Sequence, residues 1–158
     1  MGRLAHLARR FLGHLHRRPL GPAEQAEAAS LLRPKERPLF WGQGPADQRH
    51  ALQCTRAVLA AAPGRTDLAR AALLHDVGKA RARLGVVGRV LATGLPLLHL
   101  PTPGRLGAYR AHAASGADEL ATAGAEPLVV AYARHHHEAR PPAVPVDDWE
   151  LLSAADRA

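Results

Sequence analysis

Apolar residues along this chain recur at steps of three and four, and the strict alternation of a half-buried strand is missing. Leu4, Leu7, Phe11 and Leu15 share one face, which predicts a helix over 3–16. Pro22 opens a second helix toward Leu32. Residues 33–44, RPKERPLFWGQG, read as a loop with Leu39, Phe40 and Trp41 as apolar anchors. Pro45 opens a helix through Ala61, with His50, Cys54, Ala57 and Ala61 at helical spacing. A turn follows at 62–66. Thr66 or Asp67 then caps a helix to Val77, which stops at Gly78.

Glycines and prolines break the pattern over 81–104, leaving a short helix near 86–93 and then a loop. A helix over 105–123 carries His112, Gly116 and Leu120 along one face. Pro127 opens another, running into His135–Glu138. ARPPAVPVD (139–147) is a proline-rich loop, and Asp147 or Asp148 caps a last helix that includes Asp156. Strand formers are sparse, whereas Ala, Leu, Arg and Glu dominate. The expected fold is all-α. One domain fills 1–158, with residues 1–40 as a helical extension on a core over 45–158.

Composition narrows the function classes. No apolar run approaches the roughly 20 residues needed to span a bilayer. The basic start MGRLAHLARRFLGHLH lacks a long apolar stretch and a cleavage site, so the expected location is cytoplasmic. Cys54 is the single cysteine, which excludes a disulfide framework and a Cys-based zinc site. The formal charge is +7, and every basic residue except Lys35 and Lys79 is arginine. That balance suits an anionic ligand. It does not suit specific nucleic-acid binding, because the arginines are scattered and aromatics make up only 4%. The basic amphipathic start is expected to pack on its own domain. Membrane-surface binding or dimerisation is the alternative, and a homo-oligomer stays open.

The unusual count is ten histidines, three of them consecutive at 135–137. The segment AALLHDVGKA places His75 and Asp76 at the end of an otherwise apolar helix. Burying an imidazole and a carboxylate there costs several kcal/mol unless they are paired or bind a metal. Adjacent ligands on a helix diverge by roughly 100°, so one can bind terminally while the carboxylate reaches a second ion. Lys79 follows as a cation able to hold a phosphate oxygen and offset developing negative charge. With no cysteine cluster, imidazole and carboxylate suit iron, manganese, zinc or similar divalent ions.

These residues resemble the HD superfamily of metal-dependent phosphohydrolases, which is all-helical and uses a His, an adjacent His-Asp pair and a distal Asp. The match places His50 first, His75-Asp76 as the pair and Asp156 in LLSAADRA as the distal residue, covering about 46–156. AHAASGADEL, with His112, and RHHHE, residues 134–138, resemble a His-rich subgroup in which extra histidines complete a two-metal site. HDVGK and HHE are similar to the cyclic di-GMP phosphodiesterases of the HD-GYP type. After Glu138, however, the chain reads ARPPAVPVD and lacks Gly-Tyr-Pro. A general nucleotide or other phosphate ester is therefore the expected substrate.

The resemblance implies an HD-type helical bundle and a metal-ligand set of His50, His75, Asp76, His112, His136, His137 and Asp156. Asp76 and Lys79 would be catalytic, with Lys79 also binding substrate. It implies two divalent ions, iron or manganese first, with zinc, magnesium, nickel and cobalt as further candidates. Such a pair stands roughly 3.5–4 Å apart, activates a bridging water and clamps phosphoryl oxygens. Helical periodicity alone does not choose among His135, His136 and His137; the resemblance favours the last two. Glu138 is either a supporting partner or a surface residue. His6, His14, His16 and His99 read as surface or interface residues. Two other functions fit the same scaffold: a di-iron oxygenase and a non-catalytic ligand-binding module.

Overall fold

The computed structural model describes residues 18–82 and 101–158, with positions 84, 88, 92 and 95 between them. The helix expected over 3–16 and His6, His14, His16 and His99 lie outside the described residues. Of the helix expected near 86–93, only Gly88 and Ala92 are described, both in helical backbone.

The fold is all-α, with no strand among the described residues. Its helices are α1 (Pro22–Leu31), α2 (Arg37–Trp41), α3 (Pro45–Ala61), α4 (Thr66–Leu74), α5 (Lys79–Ala82), α6 (Arg105–Arg110), α7 (His112–Ala123), α8 (Pro127–His135) and α9 (Val146–Arg157). None is long and apolar enough to cross a membrane.

The centre of the molecule is α4. Every residue from Leu68 to Leu74 is buried, and α4 packs against α1, α3, α8 and α9. A helix apolar on all sides can be stable only when surrounded in this way. Leu20, Ala28, Leu32 and Phe40 join the same buried cluster as Leu52, Leu73, Val129 and Leu152.

Prolines open α1, α3 and α8, each in the first turn where its missing N–H goes unused. The same logic corrects the loop expected at 33–44. Pro38 sits in the first turn of α2, so it starts a helix there instead of preventing one. Neither Thr66 nor Asp67 caps α4. Arg65 is the N-cap residue, without a side-chain capping bond, and its guanidinium instead ties Asp67 to Asp148 of α9. The last helix begins at Val146 behind Pro145, not at an aspartate cap.

Two breaks fall where the histidines lie. The helix expected to reach Val77 ends at Leu74, and the chain continues in tight turns. Val77 N–H bonds to Leu74 O (3.3 Å), Lys79 N–H to Asp76 O (3.0 Å) and Ala80 N–H to Val77 O (3.2 Å). Gly78 is not a left-handed cap, since the positive-φ glycines are Gly64, Gly104 and Gly124. It is required by contact: a Cβ there would stand 2.0 Å from His112 O and 2.8 Å from Gly116 N. The helix expected over 105–123 is likewise interrupted at Ala111.

Candidate metal centre

Five segments bring the seven sequence-selected ligands into one cluster. His50 comes from α3, His75 and Asp76 from the turn after α4, and His112 from the first position of α7. His136 and His137 follow α8, and Asp156 lies in the last turn of α9. The Gly78–Gly116 approach seats the His75-Asp76 turn directly against α7 and so brings His112 to Asp76.

Three of the rings share one local device. His75 Nδ1 bonds to Ala72 O (2.8 Å), His112 Nδ1 to Tyr109 O (2.6 Å) and His136 Nδ1 to Ala133 O (2.9 Å). A carbonyl only accepts, so each Nδ1 carries the proton that it donates. This fixes ring orientation and, in the neutral imidazole, leaves the Nε2 lone pair free for a metal. Each histidine bonds the carbonyl three residues before it, which requires the helical or turn backbone found at all three places.

The free nitrogens converge on carboxylates. Asp76 Oδ1 lies 3.2 Å from His112 Nε2 and 3.4 Å from His136 Nε2. Asp76 Oδ2 lies 3.4 Å from His75 Nε2 and pairs with the Lys79 ammonium. Asp156 Oδ1 is 3.0 Å from His50 Nε2 and 3.2 Å from His75 Nε2. The exposed His137 places its Nε2 3.2 Å from His112 Nε2. The side chains of His75 and Asp76 are only 1% and 2% exposed.

These distances have a second meaning. With metal–ligand bonds of about 2.1 Å, neighbouring nitrogen and oxygen donors stand roughly 3.0 Å apart at a right angle and roughly 3.4 Å apart at the tetrahedral angle. The observed carboxylate–imidazole separations span that window. Yet His75 Nε2, Asp76 Oδ1 and His136 Nε2 are buried without a hydrogen-bond partner of acceptable geometry. The donors have metal-like separations and poor hydrogen-bond angles. A divalent cation would satisfy them together.

The donors form two overlapping groups with Asp76 in common. One holds Asp76, His112, His136 and His137; the other holds His50, His75 and Asp76. Asp156 extends the second group through His50 and His75. A third group that could hold an ion, His50, Cys54 and Asp156, includes the thiol. Sequence reasoning set Cys54 aside because it sought cysteine clusters. The available signal was its position one turn after His50.

Charge follows from this crowding. Burial works against a proton on His75, but Asp76 and Asp156 outweigh it and hold its pKa up, at about 10. Burial also opposes ionisation of Asp76, yet Lys79 and the His75 charge keep its pKa well below the usual carboxylate range. Partial burial opposes ionisation of Asp156 too, yet the His50 and His75 rings hold its pKa low. His136 is pushed down by burial and by the neighbouring His75 charge. Without a metal, His75 therefore holds a proton between the two carboxylates, while burial first and neighbouring charge second disfavour a proton on His136 and His137.

His135 does not enter the cluster. Its Nδ1 faces Glu138 Oε2 at 3.0 Å near the surface, so Glu138 supports neither His136 nor His137. Lys79 is not free in this arrangement, because its ammonium is held by Asp76.

No family model, curated protein or solved structure matches the chain.

Proposed function

We propose that this chain is a metal-dependent phosphohydrolase of the HD type, acting on a nucleotide or other phosphate ester with two divalent ions. The observation that carries the reading is the position of Asp76. Its Oδ1 faces His112 and His136, while its Oδ2 faces His75. A carboxylate shared by two imidazole groups suits a bridging ligand. His50, His75 and Asp156 would complete one half, and His112, His136 and His137 the other.

Divalent ions held there would supply Lewis-acid charge and lower the pKa of coordinated water. The protein contributes placement. The three Nδ1 back-bonds hold rings rigid, so little reorganisation is needed when the ligands engage. His137 at the open edge marks the side from which an anionic substrate reaches the centre. Lys79 is held by Asp76 Oδ2. With metal held by the cluster, the Lys79 ammonium would be the cation within reach of a phosphoryl oxygen and would offset charge there. Iron and manganese suit this mainly nitrogen and oxygen donor set.

Elemental analysis of protein purified without added chelator tests the reading, paired with turnover of phosphomonoester, phosphodiester and nucleotide panels. About two ions per chain and metal-restored phosphate release are expected. Protein that binds no metal, or loaded protein that consumes oxygen without releasing phosphate, would overturn it.

A further inference from the structure

We infer that Cys54 is a metal ligand, so that the two halves of the centre differ in softness, one carrying a thiolate and the other only nitrogen and oxygen donors. The inference rests on the proposed metal centre and goes beyond its seven ligands.

Cys54 lies one helical turn after His50 on α3, the spacing that sets two side chains on one face. Its Sγ stands 3.6 Å from His50 Nε2. With bonds of about 2.1 Å to nitrogen and about 2.3 Å to sulfur, two donors of a tetrahedral ion stand roughly 3.6 Å apart. The thiol, a His50 nitrogen and an Asp156 oxygen all lie within 4.8 Å of one another. A buried ring nitrogen borders this group at its Asp156 side. His75 Nε2 is buried, lacks a hydrogen-bond partner of good geometry and sits 3.2 Å from Asp156 Oδ1, the oxygen that also meets His50.

His50, Cys54 and Asp156 thus offer one nitrogen, one sulfur and one oxygen within 4.8 Å of one another, with His75 Nε2 beside the shared Asp156 oxygen, donors that suit a borderline ion such as zinc, cobalt or ferrous iron. Binding forms the metal–sulfur bond as the S–H bond breaks, and the proton leaves to solvent. The half built on His112, His136 and His137 has no sulfur and suits a harder ion. The alternative is that Cys54 only fills space as a small buried apolar residue.

Cobalt(II) titration of the full chain, stripped of metal and kept free of added thiol, separates the two. The expected spectrum shows visible ligand-field bands together with a near-ultraviolet sulfur-to-cobalt band. Because the chain has one cysteine, that band can come from no other thiol. Cys54→Ser and Cys54→Ala should keep bound cobalt and the visible bands, lose the near-ultraviolet band, and bind one ion about tenfold more weakly or worse. Visible bands without the sulfur band in the wild-type protein would overturn the thiolate assignment and leave the metal centre standing. Absence of all cobalt bands would overturn both, which is a different result. The wild-type spectrum decides the matter even if a variant folds poorly.

Discussion

Among the described residues, two clusters of charged and polar groups reach the interior, and they are built on opposite principles. On one side of α4, Arg70 donates to Glu36 and Glu126, and Arg33 also pairs with Glu126. Glu36 is fully buried, and its second oxygen accepts the Arg33 N–H at 2.9 Å. Two guanidinium groups meet two carboxylates, and Arg70 Nε is the one buried side-chain atom of that network without a partner. At the C-terminal end of α4, by contrast, ring nitrogens crowd the carboxylates. Asp76 and Asp156 are met by the nitrogens of His50, His75, His112 and His136 and by a single ammonium, Lys79. The first cluster supplies its own counter-charge. The second leaves His75 Nε2, Asp76 Oδ1 and His136 Nε2 buried without a hydrogen-bond partner of good geometry, the pattern of a group that could hold a metal ion.

That contrast is open to a double dissociation, and its largest expected effect lies in the second cluster. Asp76→Ala removes the oxygens shared by both histidine groups. Metal content by elemental analysis should fall to background, and turnover should drop more than about 100-fold, beyond the usual loss of an outer partner. Full metal content in this variant would put the ions elsewhere.

Next in size is Arg70→Met, which leaves Glu36 buried without its cation. Breaking a buried pair from one side costs about 3–5 kcal/mol. Chemical denaturation should read that loss, while metal content per folded chain stays unchanged. Adding Glu36→Met removes the stranded charge as well, and most of the stability should return. If Arg70→Met instead strips metal from folded protein, the two clusters are not independent.

Between these lies the hinge of the site. Gly78→Ala would press a methyl group into His112 O and the Gly116 backbone. Overpacking of this kind costs about 1–3 kcal/mol. The strain should separate α7 from the His75-Asp76 turn, so the half containing His112 loses its ion first. The expected product is folded protein with about half the metal content of the parent. Unchanged stoichiometry and stability would mean that the close approach can relax freely.

The two clusters were also unequally legible in the sequence. Helical periodicity and proline placement located most helices, because Pro22, Pro45 and Pro127 act locally. His75-Asp76 stood out because two ionisable residues end an apolar run. The Arg70–Glu36 pair left no such trace: its members lie 34 positions apart, and Glu36 falls in a segment that its prolines made look like a loop. Gly78 was legible as a glycine but not for its reason, since a left-handed cap and a close approach select the same residue. The turns after Leu74 escaped notice because tertiary contact with α7, not propensity, sets them. Periodicity could not tell His136 and His137 from His135, because that choice depends on the rotation of α8; only the resemblance favoured them.

The smallest expected effect sharpens the comparison from the side of pH. Burial opposes ionisation of Glu126, but its own backbone N–H and the Arg70 and Arg33 guanidinium groups hold its pKa below the usual glutamate value. A carboxylate with a depressed folded pKa adds stability above its unfolded pKa, near 4.3, and loses it as pH falls through the folded value. Glu126→Gln should therefore lower the unfolding midpoint at pH 7 and flatten its acid dependence, so that variant and parent converge toward pH 3. Because histidines release metal as they protonate, the measurement belongs in chelated protein, where only groups of the protein itself titrate. Glu126 is partly exposed, so the shift is expected to be small beside that of Arg70→Met. A gap that persists unchanged at low pH would show that Glu126 acts through its shape and not its charge. The network would then no longer be the self-compensated counterpart of the metal centre.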